Sequence, residues 1–116
     1  MVCGSRIKKD YSQLVKNILS AYLKDKIVII EGCCPNSADK YAEDWAREHD
    51  MDLYHYPGSP GNYLYRNIEM VDACDEVIAF WDGFSYGTAH AIATAVNQNK
   101  PVMVIELAII RKRVKQ

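Results

Sequence analysis

Residues 80–92, with the sequence FWDGFSYGTAHAI, combine two glycines with polar side chains in a pattern that could bind an anion. The apolar run EVIAFW leads into this segment, and a helix is predicted from Ala89 to Asn97. A glycine loop between a strand and a helix directs unpaired backbone N–H groups and the positive end of the helix dipole outward, which suits phosphate. The candidate ligand-binding residues of this segment are Trp81, Asp82, Gly83, Ser85, Gly87, Thr88 and His90.

Each of these residues also has a purely structural interpretation, which the sequence leaves open. The two glycines could serve only a tight turn, and Ser85 or Thr88 could be the N-cap of the helix. Trp81 could stack on a base or cover the core, and His90 could be a packing or surface residue of the helix. For the two glycines the sequence favours the phosphate role.

Three further segments carry glycine, polar and charged residues at the places where a ligand of an α/β protein would bind. Gly4 to Arg6 follow the first apolar stretch, Gly32 to Asp39 follow the run KIVIIE, and Arg66-Asn67 lie near the start of a helix that Asn62 could cap. Because ligands of doubly wound sheets bind beyond the C-terminal ends of the strands, these segments and residues 81–90 are predicted to share one edge. The additional candidates are Gly4, Ser5, Arg6, Gly32, Cys33, Asn36, Ser37, Asp39, Arg66 and Asn67.

Structural alternatives exist for the charged members of this set as well. Arg6 and Arg66 could form surface ion pairs, and Asp39 could either point at a ligand hydroxyl or satisfy the backbone of its own turn. Glu69 is expected to hold Arg66 or a loop in place.

The elements that must position these residues alternate regularly between strand and helix. Asp10 with Gln13 predicts a capping box at the start of the first helix, and the β-branched run KIVII predicts a strand buried on both faces. The stretch MDLYHY is less apolar and is predicted to be a strand nearer the edge. The expected fold is α/β, a Rossmann-like three-layer sandwich whose five-stranded, mainly parallel, doubly wound sheet carries helices on both faces.

Length and charge limit the organisation and the partners. The 116 residues fit one domain, assigned to residues 1–106, with a basic C-terminal tail over residues 107–116. A net charge of -1 argues against general nucleic-acid binding, which usually needs a basic face. No apolar run is long enough to span a bilayer and no signal-peptide pattern opens the chain, so a cytoplasmic protein without a membrane partner is expected.

The four cysteines, Cys3, Cys33, Cys34 and Cys74, form no Cys-x-x-Cys pair and have no histidine at zinc-finger spacing. No metal site and no cofactor are therefore predicted. The chain also lacks a G-x-G-x-x-G segment after the first strand and a G-x-x-x-x-G-K-[ST] segment, so any nucleotide is bound by another loop scheme.

Four short motifs in register resemble one known group of proteins. GSR after the first strand, GCCPNSAD after the second, RNIEM in the third helix and WDGFSYGTAHAI after the fourth strand are similar to the SLOG superfamily of Smf DNA-processing and lonely-guy proteins, specifically its small stand-alone bacterial and phage branch. The resemblance covers about residues 2–106. It implies a Rossmann-like sheet, a pocket for nucleotides or nucleotide-derived signals such as ADP-ribose derivatives, and a homo-oligomer, in a bacterial cell and possibly encoded by a phage.

The same resemblance raises the question of catalysis. Lonely-guy phosphoribohydrolases use an arginine in a motif like Arg66-Asn67-x-x-Met70 and a glutamate at a position that falls on Ala91, with His90 at the preceding acidic position. A glycosidase needs a carboxylate at its reacting centre, and only Glu69 or Asp82 could substitute.

The sequence is therefore compatible with three functions. The sequence favours a non-catalytic sensor, or a phage-type sponge that sequesters an ADP-ribose-like or cyclic ADP-ribose-like signal. The alternatives are a nucleoside 5'-monophosphate phosphoribohydrolase, in which Arg66 and Glu69 would be catalytic, and a single-stranded DNA-binding protein.

Overall fold

The computed structural model describes residues 1–107 as an α/β chain in which five strands alternate with four α-helices. The remaining residues of the predicted basic tail, 108–116, lie outside the described part. The strands are β1 Val2–Gly4, β2 Val28–Glu31, β3 Asp52–His55, β4 Val77–Trp81 and β5 Val102–Glu106, and the helices are α1 Ser12–Leu19, α2 Ala38–Glu48, α3 Tyr63–Ala73 and α4 Tyr86–Asn97, with a 3₁₀ turn at Ser20–Tyr22.

All strand pairs are parallel, and their hydrogen bonds divide them into two sheets. One sheet has the order β1-β4-β5 and the other pairs β2 with β3. Strands β1 and β2 lie next to each other without a ladder between them. A cavity of about 490 Å³ lies here, lined mainly by residues at the N-terminal ends of these strands and at the C-terminal end of α3. The α/β class with parallel strands is confirmed, and the hydrogen bonds do not join all five strands into one ladder.

Helices cover both faces of the strands, which gives three layers. Helices α1 and α2 pack together, and α2 also contacts β1 and β2; α3 packs on α4, which contacts β4 and β5. The residues of β4 alternate between the two cores, with Ile78 and Phe80 on the α1/α2 side and Val77 and Ala79 on the α3/α4 side. This burial on both faces explains why β4 is a continuous apolar run.

The positions of the edge strands can be compared with their amino-acid composition. Strand β3 pairs only with β2 and is mostly exposed, as its weaker apolar character predicted. Strand β5 is the edge of the other sheet. After it, Leu107 is buried and its N–H donates to the Trp81 carbonyl oxygen at 2.8 Å, so Leu107 packs with the domain.

The predicted start of α1 is wrong in detail. The helix begins at Ser12, and its N-cap residue, Tyr11, makes no side-chain capping bond. The Asp10 carboxylate accepts from the Ser12 N–H at 2.7 Å, whereas the Gln13 side chain donates to Asn17 at 2.8 Å instead of returning to the cap. No capping box forms because Gln13 finds a partner one turn further along the same helix face.

Helix α4 begins at Tyr86, three residues before its predicted start, and therefore includes Gly87 and Thr88 in its first turn. No helix within residues 1–107 is both long and apolar enough to cross a lipid bilayer.

Candidate functional site

Strands β1 and β4 are neighbours, and the chain leaves their C-terminal ends in opposite directions across the strands. After β1 the chain leads to β2, and after β4 it leads to β5, which is the strand order beside which ligands of α/β proteins bind. We use the name crevice for this edge, which comprises Gly32, Asp39, Arg66 and the start of α4. The Ser5 N–H donates to the Phe80 carbonyl oxygen at 2.9 Å, and the Asp82 N–H donates to the buried Ser5 hydroxyl at 3.1 Å. Ser5 therefore joins the two strand ends that flank the crevice.

Helix α2 approaches β1 closely at this edge, and Gly4 makes that approach possible. A Cβ atom at Gly4 would lie 2.7 Å from the Ala38 Cβ and 2.7 Å from the Tyr11 hydroxyl oxygen. The Tyr11 hydroxyl donates to the Ser5 carbonyl oxygen at 2.6 Å and accepts from the Ala38 N–H at 2.9 Å. Tyr11 thereby connects the β1 loop to the start of α2.

Because Tyr11 serves both groups inside the protein, Tyr11→Phe is expected to lower the free energy of unfolding by about 2 kcal/mol, since a buried carbonyl and a buried N–H lose their partner while the ring still packs. Urea unfolding followed by circular dichroism measures this value. Tyr54→Phe, on the exposed face of β3, is the matched control and is expected to change it by less than about 0.5 kcal/mol. Equal stabilities of Tyr11→Phe and the wild type would contradict the bridging role.

Gly32 is the central residue of the crevice because its N–H binds Asp39 and its carbonyl oxygen binds Arg66. Its N–H donates to Asp39 Oδ2 at 3.0 Å, and its carbonyl oxygen accepts from Arg66 Nη1 at 2.9 Å. The Cys34 N–H also donates to Asp39 Oδ2, at 3.4 Å. The structure thus brings together Asp39 and Arg66, two predicted site residues that lie 27 positions apart in the chain.

The Asp39 carboxyl is buried, with only 4% of the residue exposed. Burial raises the pKa of Asp39 to about 6, although the backbone N–H groups of Cys34 and Gly32 and the charge of Arg66 act in the opposite direction. Both backbone hydrogen bonds go to Oδ2, which leaves Oδ1 as an acceptor for a ligand hydroxyl. Asp39 therefore satisfies its own turn and still retains a free oxygen.

Arg66 is half-buried and lacks a carboxylate partner within residues 1–107, so the surface ion pair suggested as an alternative does not form. Its guanidinium lies 5.5 Å from the centre of the Tyr63 ring, and its Nη2 donates to the Asn67 side-chain oxygen at 3.4 Å. The Nε atom is buried and has no hydrogen-bond partner in the described part of the chain, residues 1–107. Within residues 1–107 the hydrogen bonds of Arg66 go to neutral groups, and the nearby Asp39 carboxylate forms no direct ion pair with it, so the guanidinium can still contact an anion.

Asn67 extends this network to α4. It is buried, and its side-chain N–H donates to the Gly87 carbonyl oxygen at 3.1 Å and lies 3.5 Å from His90 Nδ1. Asn67 and His90, both predicted from the sequence, therefore lie on facing helices beside Arg66. Ala91 is buried in the core on the other side of α4, so the position aligned with the lonely-guy glutamate does not face the crevice.

The loop before α4 is organised by Asp82. The Asp82 Oδ1 accepts from the Phe84 and Ser85 N–H groups at 2.8 and 2.7 Å, and its Oδ2 accepts from the Ser85 hydroxyl at 2.9 Å. Burial alone would raise the pKa of Asp82, but hydrogen bonds from these backbone groups outweigh it and lower the pKa below its ordinary value. The Trp81 indole N–H donates to the Ser85 carbonyl oxygen at 3.1 Å. These polar groups therefore fix their own loop.

The start of α4 stays open beside that loop. Ser85 is the N-cap residue; its hydroxyl donates to Asp82 and caps no helix N–H. Gly83 has a φ of +86°, which supports the tight-turn interpretation at this position. A Cβ at Gly87 would meet nothing within 4 Å, so Gly87 is not required by packing and leaves free space over the first turn. Thr88 is buried there.

Four predicted residues take no part in the hydrogen bonds that join Asp39, Gly32 and Arg66. Arg6 is exposed and forms no ion pair within residues 1–107, and Asn36 is exposed with a φ of +54°. Ser37 is buried as the N-cap of α2, where its hydroxyl accepts from the Asp39 N–H at 3.3 Å and donates to the Cys34 carbonyl oxygen at 2.9 Å. Glu69 is exposed and lines, with Arg66, His55 and residues 57–59, a cavity of about 470 Å³. We call it the Arg66 cavity.

Sequence reasoning missed Glu31 and His55. Glu31 ends the apolar run of β2 and is fully buried, and His55 is its register partner at the end of β3. The Glu31 carboxylate contacts the Cys33 N–H at 2.7 Å and His55 Nδ1 at 2.5 Å, and Cys33 Sγ lies 3.4 Å from the same His55 nitrogen. Partial burial and the Glu31 charge raise the pKa of Cys33 to about 11. The only sequence signal is a carboxylate directly after a strand predicted to be buried.

No protein-family model matches this chain, and neither a curated protein nor a solved structure is significantly similar to it. The resemblance to the SLOG superfamily thus stays a prediction from the four motifs. The 490 Å³ cavity includes none of the predicted site residues, whereas the crevice at the C-terminal strand ends contains Arg66, which could bind an anion, and Asp39. We therefore place the candidate site at the crevice.

Proposed function

We propose that this protein binds a nucleotide or a nucleotide-derived signal of the ADP-ribose or cyclic ADP-ribose type at the C-terminal strand ends, and that it acts without catalysis as a sensor or a sequestering protein. One observation carries the proposal: within residues 1–107 Arg66 is fixed at the crevice by hydrogen bonds to neutral groups, its Nε is buried without a partner, and no carboxylate forms a direct ion pair with it. A phosphate supplies the missing acceptor and charge.

Groups next to Arg66 could contact a second phosphate and the ribose of such a ligand. The first turn of α4, linked to Arg66 through Asn67, presents free space and no side-chain cap, so it supports a second phosphate contact. The free Oδ1 of Asp39 can accept from a ribose hydroxyl. The SLOG-like motifs supply these residues, which adds support from the resemblance.

Isothermal titration calorimetry with ADP-ribose, cyclic ADP-ribose isomers and nucleoside monophosphates tests the proposal. At least one ligand is expected to bind, and Arg66→Ala is expected to weaken it by about 10- to 150-fold, the equivalent of losing charge-assisted hydrogen bonds worth about 1.5–3 kcal/mol. Arg47→Ala on α2, an exposed arginine paired with Glu43, is the control and is expected to bind like the wild type. If no ligand of the panel binds, or if Arg66→Ala binds as tightly as the wild type, the proposal is wrong.

A second candidate, hydrolysis of the N-glycosidic bond of a nucleoside 5'-monophosphate, is favoured by Asp39. A buried carboxyl whose pKa lies near 6, held beside an arginine, has the properties of a general acid. Glu69 is exposed and the Asp82 oxygens are committed to their loop, which leaves Asp39 as the better carboxyl for this role. Chromatographic detection of free base, lost in Asp39→Asn, would support hydrolysis; intact substrate after prolonged incubation with the wild type would exclude it.

Association of the chain into a homo-oligomer also belongs to the proposal. Exposed apolar side chains cluster on α3, where Tyr63, Leu64, Tyr65 and Ile68 are each at least 37% exposed. Such a surface favours a contact with a second copy. Sedimentation velocity is expected to show a dimer or larger species, and Tyr65→Lys is expected to shift it toward the monomer.

A further inference from the structure

Three potential metal ligands from different types of side chain converge at the end of the β2–β3 pair. A carboxylate oxygen of Glu31, the thiol sulfur of Cys33 and a ring nitrogen of His55 all lie within 4.8 Å of one another. The backbone determines this proximity because Glu31 and His55 are register partners in the parallel ladder and Cys33 follows Glu31 by two residues. Fixed strand ends therefore bring an oxygen, a sulfur and a nitrogen donor to one point.

The way in which the three side chains meet distinguishes a metal site from a catalytic triad. In a Cys–His–acid triad the two ring nitrogens act separately, one toward the nucleophile and the other toward the acid. Here the same nitrogen, His55 Nδ1, faces both Glu31 Oε1 and Cys33 Sγ. Convergence of all three donors on one point suits a shared cation.

The distances agree with a tetrahedral ion after a small adjustment. With Zn–S of about 2.3 Å and Zn–N or Zn–O of about 2.0 Å, tetrahedral sites separate sulfur from nitrogen or oxygen by about 3.5 Å and nitrogen from oxygen by about 3.3 Å. The corresponding separations in the structure are 3.4 Å for Cys33–His55, 3.6 Å for Cys33–Glu31 and 2.5 Å for His55–Glu31. Only the hydrogen-bonded pair has to open, and an entering cation replaces that hydrogen bond.

Burial and backbone conformation add to the geometry. Glu31 is fully buried, and the partners of its carboxylate are the Cys33 N–H, the Cys33 thiol and His55. Cys33 adopts a φ of +63°, a conformation that costs energy for a residue with a Cβ and is concentrated at functional sites. The imidazole is partly exposed and lines the Arg66 cavity, and Cys33 is exposed, so a cation can reach these two ligands from solvent.

We propose that Glu31, Cys33 and His55 bind one Zn²⁺ ion, with a fourth position open to water or a ligand in the Arg66 cavity. The donor set selects zinc because thiolate and imidazole are poor ligands for Mg²⁺ and Ca²⁺. On binding, the ion replaces the Cys33 thiol proton, which is released to solvent, and it coordinates neutral His55 through Nδ1 with the ring proton on Nε2. Zn²⁺ binding at this site does not require the proposed nucleotide ligand. The sequence pointed to no metal because Cys33 and His55 are 22 residues apart and belong to different strand ends.

The full chain, stripped with a chelator, tests the site by titration with Co²⁺ and by Zn²⁺ competition against a chromophoric indicator, without any nucleotide. Co²⁺ is expected to bind with a stoichiometry of one and to produce a near-ultraviolet thiolate-to-cobalt band that Zn²⁺ abolishes. Cys33→Ala is expected to lose the band, and both Cys33→Ala and His55→Gln are expected to weaken Zn²⁺ binding by at least about 100-fold, since loss of an outer-sphere partner alone costs about 10- to 100-fold.

The matched control is Cys34→Ala, which removes the neighbouring thiol and is expected to keep the band and the affinity. Circular dichroism verifies that each variant is folded; the two partly exposed positions, 33 and 55, carry the test even if the buried Glu31→Gln variant does not fold. Absence of stoichiometric Zn²⁺ and Co²⁺ binding by the wild type overturns the proposal. A band that survives in Cys33→Ala, or that is lost only in Cys34→Ala, overturns it equally.

Discussion

Asp39→Asn is expected to increase the free energy of unfolding by about 3 kcal/mol at neutral pH. The folded protein binds the Asp39 proton with a pKa of about 6, against an ordinary value of 3.8, because burial disfavours the charged carboxylate. At neutral pH the folded state must ionise this buried group, which costs about 1.4 kcal/mol for each unit of the pKa difference. Asparagine avoids the charge, and its oxygen can still accept from the Gly32 and Cys34 N–H groups.

The pH dependence follows from the sign of this shift. Between about pH 3.8 and 6 the folded state retains a proton that the unfolded state has lost, so the contribution of Asp39 to stability is largest below 3.8 and is lost as the pH rises through 6. The stability difference between Asp39→Asn and the wild type is therefore expected to be small near pH 3.8 and to reach its full value by neutral pH, as measured by urea unfolding at several pH values.

Asp52→Asn, at an exposed position of β3, is the control and is expected to change the free energy of unfolding by less than about 0.5 kcal/mol throughout. If Asp39→Asn is less stable than the wild type at neutral pH, attraction between Asp39 and Arg66 outweighs the cost of burial. A stabilised Asp39→Asn that also binds the nucleotide ligand more weakly would show that this buried charge is retained for function at the expense of stability.

Gly32→Ala is expected to lower the free energy of unfolding by about 3 kcal/mol and to abolish ligand binding. An added Cβ would lie 2.9 Å from Arg66 Cζ and 3.0 Å from Asp39 Oδ2. The guanidinium can move, but only by breaking its hydrogen bond to the Gly32 carbonyl oxygen, and the carboxylate is held by two backbone N–H groups. The substitution thus overpacks the crevice and separates its two charged groups. Chemical unfolding and calorimetry on the same sample measure both effects.

Gly87→Ala is the matched control for this substitution. A Cβ at Gly87 meets nothing within 4 Å, and the residue is in the first turn of α4, so alanine is expected to leave stability unchanged or raise it by up to about 1 kcal/mol. If a phosphate contacts the start of α4, the same variant is also expected to weaken ligand binding. A Gly32→Ala protein as stable as the wild type would contradict the packing at Gly32, and a destabilised Gly87→Ala protein would contradict the open space at Gly87.

The sequence by itself determined the α/β class, the order of the elements and most of the residues at the edge where the candidate site lies. Strand β4 illustrates why: a run that is apolar at every position must be buried on both faces, which requires helices on both sides of a parallel sheet. In a parallel sheet all strand C-termini share one edge, so placing Gly32, Asp39 and Arg66 at one edge needed no tertiary detail. The capping box at Asp10 failed because short-range side-chain partners compete within a single turn.

Only the tertiary structure decided which side chains meet and what each contact does to them. The sequence showed Asp39 as a turn residue, and its raised pKa depends on the depth at which α2 packs against β1 and β2. Glu31, Cys33 and His55 converge because the register of the β2–β3 ladder places position 55 beside position 31. The strand register and the burial of a side chain are set by packing between elements that are distant in the chain. The spacing of residues along one segment therefore does not predict them.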